Sequence, residues 1–286
     1  MLNINRADIF SLRLKAADMF NASRQLLSGV PLLNSELDRR FRKDGIAVVE
    51  NFLPPQTFEL IRQECETALD SAQQSTPVKP STVTGFGPQE WHDWGFDRYD
   101  GGTLNRFISI DPETMPTTRG FTHHLDLARF CRLGLGMRTA PRKPWLYLTV
   151  HGSEQESHDI QKDLHRDSCY RKIKFWYFLD PVMSDEGPFC YVPGSHKLTA
   201  KRLGWERKMV EQSGDSDLFR DYSFRIGEDE LEALDLPPPQ AIAVPANTLV
   251  IADTFGFHRR GAARGGAQRL SIYGQKKPWP FVPIGI

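Results

Sequence analysis

The sequence contains few cysteines for its length, and their spacing excludes two common uses of this residue. Only four occur among 286 residues, and none belongs to a Cys-x-x-Cys pair. Structural zinc sites and the disulfide frameworks of small secreted domains both need closer and more regular spacings. The sequence therefore predicts free thiols in a reducing compartment, which we expect to be the cytoplasm.

Long apolar runs are also missing. No stretch reaches the roughly 18 consecutive apolar residues that a membrane-spanning helix needs. The charged residues among residues 1–20 interrupt the apolar core that a secretory signal peptide would require. We therefore expect neither a membrane span nor a signal peptide.

The chain has no net charge, since 36 Lys and Arg residues balance 36 Asp and Glu residues. A protein dedicated to nucleic acid usually carries a basic excess, so the balance favours a small-molecule partner. Hydrophobic residues make up 40% and charged residues 25%, which is ordinary for a globular protein. The length allows one large domain, and composition leaves the oligomeric state open.

Helical and strand-like patterns occupy different parts of the chain. One strand is predicted at 45–51, and apolar residues recur at helical spacing in four segments. These segments are 7–27, 35–42, 54–68 and 126–135. From Trp145 onwards, short β-rich runs alternate with turn residues, as they do in sandwiches and barrels. The chain is therefore predicted to have an α+β fold with a two-sheet barrel in its C-terminal half.

We expect one domain over residues 1–286, with a helical extension at 1–44 and two irregular segments at 75–105 and 196–240. Long irregular segments in compact domains are usually functional or disordered. The aromatic residues of the first segment argue against disorder, so both are candidate active-site loops or lids. Three aromatic residues are predicted to form the pocket wall: Trp91, Trp94 and Tyr99.

A His-x-Asp pair at His165 and Asp167 is the most informative motif, although chance alone can produce such a pair in a chain of this composition. On a strand, positions i and i+2 point to the same face, and a strand-like stretch follows at 172–179. His258 follows another strand-like segment and could approach from a neighbouring strand. Two imidazoles and one carboxylate bind one face of Fe(II) and leave the opposite face open.

A second pair, His124 and Asp126, provides an alternative site with His196 and Arg207. It lies in a helical pattern, where positions i and i+2 diverge by about 200°. His196 lies in a turn. The geometry therefore favours the first pair.

Arg269 lies eleven residues after His258 in a β-rich run. A buried arginine is costly unless it meets an anion, and its planar fork suits a carboxylate; the alternative is a surface position on an edge strand. Ser271 would share its strand face.

Arg260 could contact an anionic substrate, although a solvated basic loop is favoured for the arginines after His258. Trp176 either lines the site or belongs to the core.

Several segments match one family in order and spacing over about residues 38–275. They are FRKDGIAVVENFLPPQTFELIRQ, LHRDS, GPFCYVPGSHK, PANTLVIAD and FHRRGAARGGAQRLSIY. In these segments the chain resembles the phytanoyl-CoA dioxygenase family of Fe(II)/2-oxoglutarate oxygenases. The resemblance implies a double-stranded β-helix core, jelly-roll or cupin-like, with the N-terminal helices packed on one sheet.

The resemblance also implies roles for individual residues. Arg269 would pair with the far carboxylate of 2-oxoglutarate, and Trp176 would lie near this cosubstrate. Arg260 stands where family members often carry a small hydroxyl residue that contacts 2-oxoglutarate, and Ser271 is the candidate replacement. Iron would be held by His165, Asp167 and His258.

The implied activity is that of a dioxygenase that uses Fe(II), 2-oxoglutarate and O2. It would hydroxylate an unactivated C–H bond of a small molecule and release succinate and CO2. Related halogenases replace the metal-binding carboxylate with Gly or Ala, so Asp167 favours hydroxylation, desaturation or another oxidation. A non-catalytic cupin-like binding protein and a zinc-dependent hydrolase or isomerase are the alternatives.

Overall fold

The structure is a computed structural model that describes residues 5–28, 35–79, 81, 83, 85–137, 141, 143–152, 158–213 and 223–282. Within these ranges the chain forms seven α-helices and eleven β-strands. The helices are α1 (Arg6–Leu27), α2 (Glu36–Asp44), α3 (Pro55–Ser75), α4 (Pro116–Phe121), α5 (Leu125–Leu135), α6 (Ala200–Ser213) and α7 (Glu228–Ala233). The strands are β1 (Ile46–Val49), β2 (Glu90–His92), β3 (Gly95–Asp100), β4 (Thr103–Ser109), β5 (Trp145–Val150), β6 (Ile173–Phe178), β7 (Phe189–Tyr191), β8 (Gln240–Ile242), β9 (Thr248–Asp253), β10 (His258–Arg260) and β11 (Gln268–Lys276).

Two antiparallel sheets form the core. The large sheet has the order β1-β9-β6-β11-β5-β4-β3-β2, and the small sheet has the order β10-β7-β8. Successive side chains on a strand point to opposite faces, so each strand of the large sheet divides its residues between the helices and the interior of the barrel. The predicted α+β fold with a jelly-roll core is confirmed.

Four helices, α2 to α5, pack on the outer face of the large sheet. Phe41 of α2 meets Phe130 of α5 with ring centroids 5.2 Å apart. Both rings belong to one hydrophobic cluster with Ile61 of α3 and with strand residues such as Leu148 and Ile272. Full burial of each such side chain contributes about 1.5–3 kcal/mol. This packing fixes the sheet whose opposite face carries the candidate site.

Local capping explains where the first two helices begin. Asn5 and Asp8 form a capping box at the start of α1. The hydroxyl of Ser35 accepts a hydrogen bond from the backbone N–H of Asp38, so Ser35 is the N-cap of α2. The Phe10 side chain of α1 packs in a second hydrophobic cluster with Trp205 of α6. The N-terminal extension therefore contacts the later insertion as well as the sheet.

The prediction of an irregular segment over 75–105 is wrong for its second half, because β2, β3 and the first part of β4 extend the large sheet there. The alternating aromatic and polar residues of this segment form antiparallel pairs, for example Phe96 opposite Phe107. Gly95 is required by close packing, since a Cβ atom there would lie 1.9 Å from the carbonyl oxygen of Phe107. This glycine therefore marks a close approach of two backbones rather than a loop.

The four cysteines are all buried and free, as predicted. Burial raises the pKa of the Cys65 and Cys131 thiols to about 12, so both are protonated and unreactive at neutral pH. None of the helices in the described part of the chain is long and apolar enough to cross a bilayer.

Candidate active site

His165, Asp167 and His258 come together where the small sheet meets the segment before β6. Their ligand atoms all lie within 4.8 Å of one another, which is a spacing that one metal ion can bridge. Reciprocal backbone hydrogen bonds join the two histidines: the N–H of His165 donates to the carbonyl of His258 (3.0 Å), and the reverse bond is 2.8 Å. The structure therefore assembles the predicted set from two distant parts of the chain.

Hydrogen bonds fix both imidazole rings in the orientation that metal binding needs. The Nδ1–H of His165 donates to the carbonyl of Asp163 (2.7 Å), and that of His258 donates to the carbonyl of Gly256 (2.9 Å). Each ring therefore keeps its Nε2 for a metal, as metal-bound histidines usually do. Burial, followed by the nearby His258, lowers the pKa of His165 to about 3, so this imidazole is neutral at physiological pH.

Asp167 is held by lysines that the sequence analysis did not single out. The Nζ of Lys174 donates to its Oδ1 (2.8 Å), and the Nζ of Lys172 lies 3.9 Å from Oδ2. Burial acts to raise the pKa of Asp167, but Lys174, His258 and Lys172 outweigh it and hold this pKa well below its usual range. Both lysines share a strand face with Trp176, and this i, i+2 alternation could have revealed them.

Arg166 lies between two of the candidate ligands in sequence but points away from them. Its guanidinium binds Glu206 of α6 with two hydrogen bonds, one of them from Nε to Oε1 at 2.7 Å, and both side chains are fully buried. Arg202 also donates to Glu206 from one turn earlier in α6 (3.1 Å). Part of the predicted lid at 196–240 is thus fixed to the metal-binding segment; residues 214–222 lie outside the described residues.

Arg269 lies on β11 at the inner end of the cavity and has no acidic partner among the described residues. It is buried, and its Nε makes no hydrogen bond. Its register partner on β5 is Thr149, whose buried hydroxyl also lacks a hydrogen bond. Burial, and next the charge of Arg260, lower the pKa of Arg269 to about 10. A buried guanidinium beside a free hydroxyl fits a carboxylate such as that of 2-oxoglutarate.

Ser271 is buried on the same strand face as Arg269, but its register partner is Tyr147; neither Ser271 nor Thr149 is among the residues that line the cavity. Thr149 lies directly opposite Arg269 instead. The sequence offered a signal for it, because Tyr147 and Thr149 alternate on one face of a β-rich run.

Arg260 is buried, so the expected solvated basic loop is wrong for this residue. Its guanidinium lines the cavity and donates to the carboxylate of Asp159 and to the Oδ1 of Asn105 (2.7 Å). Burial acts to lower its pKa, but Asp159 and other partners outweigh this effect and raise it. Arg264 does lie at the surface, where it pairs with Glu186.

The aromatic wall predicted from the first irregular segment is wrong. Trp91 is 64% exposed, Trp94 lies against Arg106, and the hydroxyl of Tyr99 donates to the carbonyl of Lys79. These three side chains do not line the cavity, whereas Arg98 and Asp100 do. The segment forms strands, so only alternate residues of β3 face the barrel interior.

The actual aromatic wall runs across the inner face of the large sheet. Phe107 stacks on Tyr147 with centroids 4.6 Å apart, Tyr147 lies 5.5 Å from Tyr273, and Tyr273 lies 5.8 Å from Trp176. Trp176 also contacts Phe189 of the small sheet at 4.5 Å. Trp176 therefore lines the cavity as well as packing in the core.

The cavity that contains these groups has a volume of about 680 Å³, which is within the range for small-molecule sites. Its charged lining is strongly cationic. The carboxylates that line it are Asp100 and Asp167. The cations are Arg98, Lys172, Lys174, Arg259, Arg260, Arg269 and Lys277.

A jelly-roll core that brings two histidines, one aspartate and an unpaired buried arginine to one cavity defines the class of Fe(II)/2-oxoglutarate-dependent oxygenases. The chain belongs to the phytanoyl-CoA dioxygenase (PhyH) family, whose model matches residues 41–234. Members of this family depend on Fe(II) and 2-oxoglutarate, with O2 as cosubstrate.

Several solved structures are similar to the chain at low sequence identity. The epimerase SnoN from nogalamycin biosynthesis is 18% identical, with 84% of this chain and 80% of that chain covered and a TM-score of 0.45. HygX from Streptomyces hygroscopicus, with nickel and 2-oxoglutarate bound, is 16% identical over 87% and 88% of the two chains, with a TM-score of 0.49. EctD from S. alaskensis is 12% identical over 88% and 82%, also at 0.49. No curated protein sequence matches the chain.

Proposed function

We propose that this protein hydroxylates an unactivated C–H bond of a small molecule in a reaction that depends on Fe(II), 2-oxoglutarate and O2. The observation that carries the proposal is the combination of the His165, Asp167 and His258 cluster with the unpaired Arg269 in one cavity. A metal-binding protein without catalysis has no need for a buried anion-binding arginine in the same cavity. The non-catalytic alternative is therefore disfavoured.

The metal would be held by the Nε2 atoms of His165 and His258 and by the carboxylate of Asp167. When bound, Fe(II) together with 2-oxoglutarate and O2 supplies the oxidant for the C–H bond, with succinate and CO2 as coproducts. The hydrogen bonds to Asp163 and Gly256 hold the two rings in place. The ligands thus need little rearrangement, which lowers the cost of metal binding.

Lys174 would orient the carboxylate of Asp167. Its Nζ donates to Oδ1 and lies 2.8 Å from Oδ2 as well, so the whole carboxylate is held in one orientation. An aspartate at this position supplies a protein ligand where halogenases have Gly or Ala. Oxygenation is therefore the favoured outcome over halogenation.

Arg269 and Thr149 would bind the far carboxylate of 2-oxoglutarate. The guanidinium supplies charge and the hydroxyl supplies a further donor, both from adjacent strands of a rigid sheet. Trp176 would border the cosubstrate on the side of the small sheet. This placement excludes water from the inner end of the cavity, where the electrostatic interaction is strengthened.

We also propose that the helical extension, the barrel and the insertion act as one catalytic domain. Residues of α1 and α6 share one hydrophobic cluster. The buried Glu206 of α6 then connects this cluster to the segment of the metal ligands. In this arrangement α6 is fixed behind the segment that carries His165 and Asp167.

Anaerobic titration tests the proposal. Protein with Fe(II) and 2-oxoglutarate should develop a weak visible charge-transfer absorption, and admission of O2 should convert 2-oxoglutarate to succinate. With a substrate, labelled O2 should place one labelled oxygen atom in the product. Absence of both the absorption and succinate would refute the oxygenase assignment, and turnover that persists without O2 would indicate the hydrolase or isomerase alternative.

A further inference from the structure

The cations of the cavity divide into those that have a partner and those that do not. Arg98 donates to Asp100 (3.0 Å), and Arg260 binds Asp159. Lys174 is bound to Asp167, and Arg269 is assigned to the cosubstrate carboxylate by the proposed function. Arg259 hydrogen-bonds the thiol of Cys190, which leaves Lys277 and Lys172, whose nearest carboxylate oxygen lies 3.9 Å away, without a close partner.

Lys172 and Lys277 face each other across two neighbouring strands. Ile173 of β6 pairs with Lys276 of β11, and the next residue outward on each strand is Lys172 and Lys277, respectively. Like charges directly opposite each other on a sheet are destabilising. Among the described residues, the one carboxylate close to Lys172 is Asp167 at 3.9 Å, and Lys174 already binds it.

The two lysines lie at the cavity wall next to the candidate metal ligands rather than on an unrelated surface. Lys172 is half-buried, while Lys277 is exposed at the mouth. Tyr273, four residues before Lys277, contributes its ring to the aromatic wall. A positively charged mouth thus continues directly into an aromatic inner surface.

We propose that the substrate of this enzyme is an organic anion whose phosphate, sulfate or carboxylate group is bound between Lys172 and Lys277, with its carbon part against the ring of Tyr273. Such a group would relieve the repulsion between the two lysines and form charge-assisted hydrogen bonds with both. Lysine provides compact point charges and not a planar fork, which suits a tetrahedral oxyanion well.

The position of the pair also restricts where the substrate is oxidised. The Nζ of Lys172 lies 3.9 Å from a carboxylate oxygen of the candidate iron ligand Asp167. The anionic group therefore binds close to the metal, and the oxidised carbon lies only a few bonds from it. The inference rests on the proposed function, since it assigns Asp167 and Arg269 to iron and 2-oxoglutarate.

Calorimetric titration of Ni(II)- and 2-oxoglutarate-saturated protein tests the inference with defined probes. Phenyl phosphate should bind, inorganic phosphate should bind more weakly because it lacks the ring, and phenol should bind weakest. Lys277→Met should weaken phenyl phosphate binding by about tenfold or more, the typical worth of a hydrogen bond to a charged group. Phenol binding should not change, and added NaCl should reduce the difference between the probes.

Lys208→Met is the matched control, because Lys208 is an exposed lysine of α6 outside the cavity. It should leave every affinity unchanged, whereas Lys172→Met should act in the same direction as Lys277→Met. The inference is overturned if phenol binds as tightly as phenyl phosphate, or if Lys277→Met and Lys208→Met behave alike. It is also overturned if phenyl phosphate binds only without 2-oxoglutarate, since the anion would then occupy the Arg269 position.

The same samples separate this inference from the proposed function. Binding of 2-oxoglutarate to the metal-loaded protein without any preference for anionic probes would remove the substrate assignment alone. Failure of the protein to bind 2-oxoglutarate in the presence of metal would remove the proposed function and the substrate assignment with it.

Discussion

The two His-x-Asp pairs of this chain have the same spacing but lie in different backbone conformations. His165 forms an isolated β-bridge with His258, and Asp167 lies at a bend; His165 is 4% exposed and the Asp167 side chain is 13% exposed, in a cluster completed by His258. His124 is the N-cap of α5, and Asp126 lies in its first turn, with side chains 35% and 36% exposed. Backbone conformation, and not residue spacing, therefore decides whether such a pair can share a metal.

The second pair has a structural role that explains its residues. The Nδ1 of His124 accepts a hydrogen bond from the backbone N–H of Asp126 (3.3 Å), and the carboxylate of Asp126 is stabilised near the positive end of the helix. Asp126 also pairs with Arg129 one turn later (3.2 Å). Among the described residues, the metal-capable cluster contains the first pair and not the second.

Substitution of the candidate metal ligands should have the largest effect. Only substitutions in the first pair, His165 and Asp167, should weaken Fe(II) binding. His165→Ala and Asp167→Ala should weaken Fe(II) binding by more than the roughly 10–100-fold that changes around a metal site typically cause. His124→Ala and Asp126→Ala should leave Fe(II) affinity and 2-oxoglutarate turnover unchanged. Anaerobic titration followed by the visible absorption measures all four variants. Equal losses at the two pairs would contradict the assignment.

The carboxylates that pair with arginines near the two His-x-Asp pairs should contribute differently to the free energy of unfolding. Glu206→Ala leaves Arg166 and Arg202 buried without their carboxylate, which should cost about 3–5 kcal/mol in the free energy of unfolding. Asp126→Ala breaks a half-exposed pair with Arg129 and should cost less than about 1 kcal/mol. Denaturant unfolding of both variants measures the difference. Similar losses would show that α6 is not anchored through Glu206.

The inner end of the cavity should depend on Arg269 and Thr149 together. Arg269→Ala should raise the 2-oxoglutarate concentration needed for half-saturation by about a hundredfold, and Thr149→Val by about tenfold. Ser271→Ala is the control and should have the smaller effect, because Ser271 pairs with Tyr147 and does not lie opposite Arg269. The arginine beside the second pair, Arg129, already binds Asp38 and Asp126. Titration of the visible absorption gives each value, and a dominant effect of Ser271→Ala would reverse the assignment.

Sequence patterns predicted the parts of the fold and site that depend on periodicity. The β-rich run that carries Arg269 is a strand, and His165 and Asp167 do come together with His258, although they lie before β6 at an isolated bridge and a bend and not on a strand. The pattern failed at 90–105, where glycine and aromatic residues hid β2, β3 and the start of β4 and led to the wrong pocket residues. The strand register could not be predicted from these patterns, because the pairing of Arg269 with Thr149 is set by long-range contacts between strands.

Partners of buried charges could not be predicted either. Nothing in the local sequence connects Arg166 to Glu206, which lies 40 residues away on a helix within the predicted lid at 196–240. The same holds for Arg260 and Asp159, separated by 101 residues. Such pairs form because the fold brings the side chains together in a low-dielectric interior, where an unpaired charge is costly.

His196, the third member of the alternative set, gives the smallest effect and is best observed through pH. It is buried, and its Nε2 lies 3.2 Å from the carbonyl of Arg42. Burial lowers the pKa of His196 from 6.5 to about 4. The unfolded chain therefore binds a proton that the folded chain does not, and stability should fall as pH decreases from about 6.5 towards 4, by at most about 1.4 kcal/mol per pH unit. His196→Gln should reduce this slope in thermal unfolding between pH 7 and pH 5, whereas a slope unchanged in the variant would show that other groups cause it.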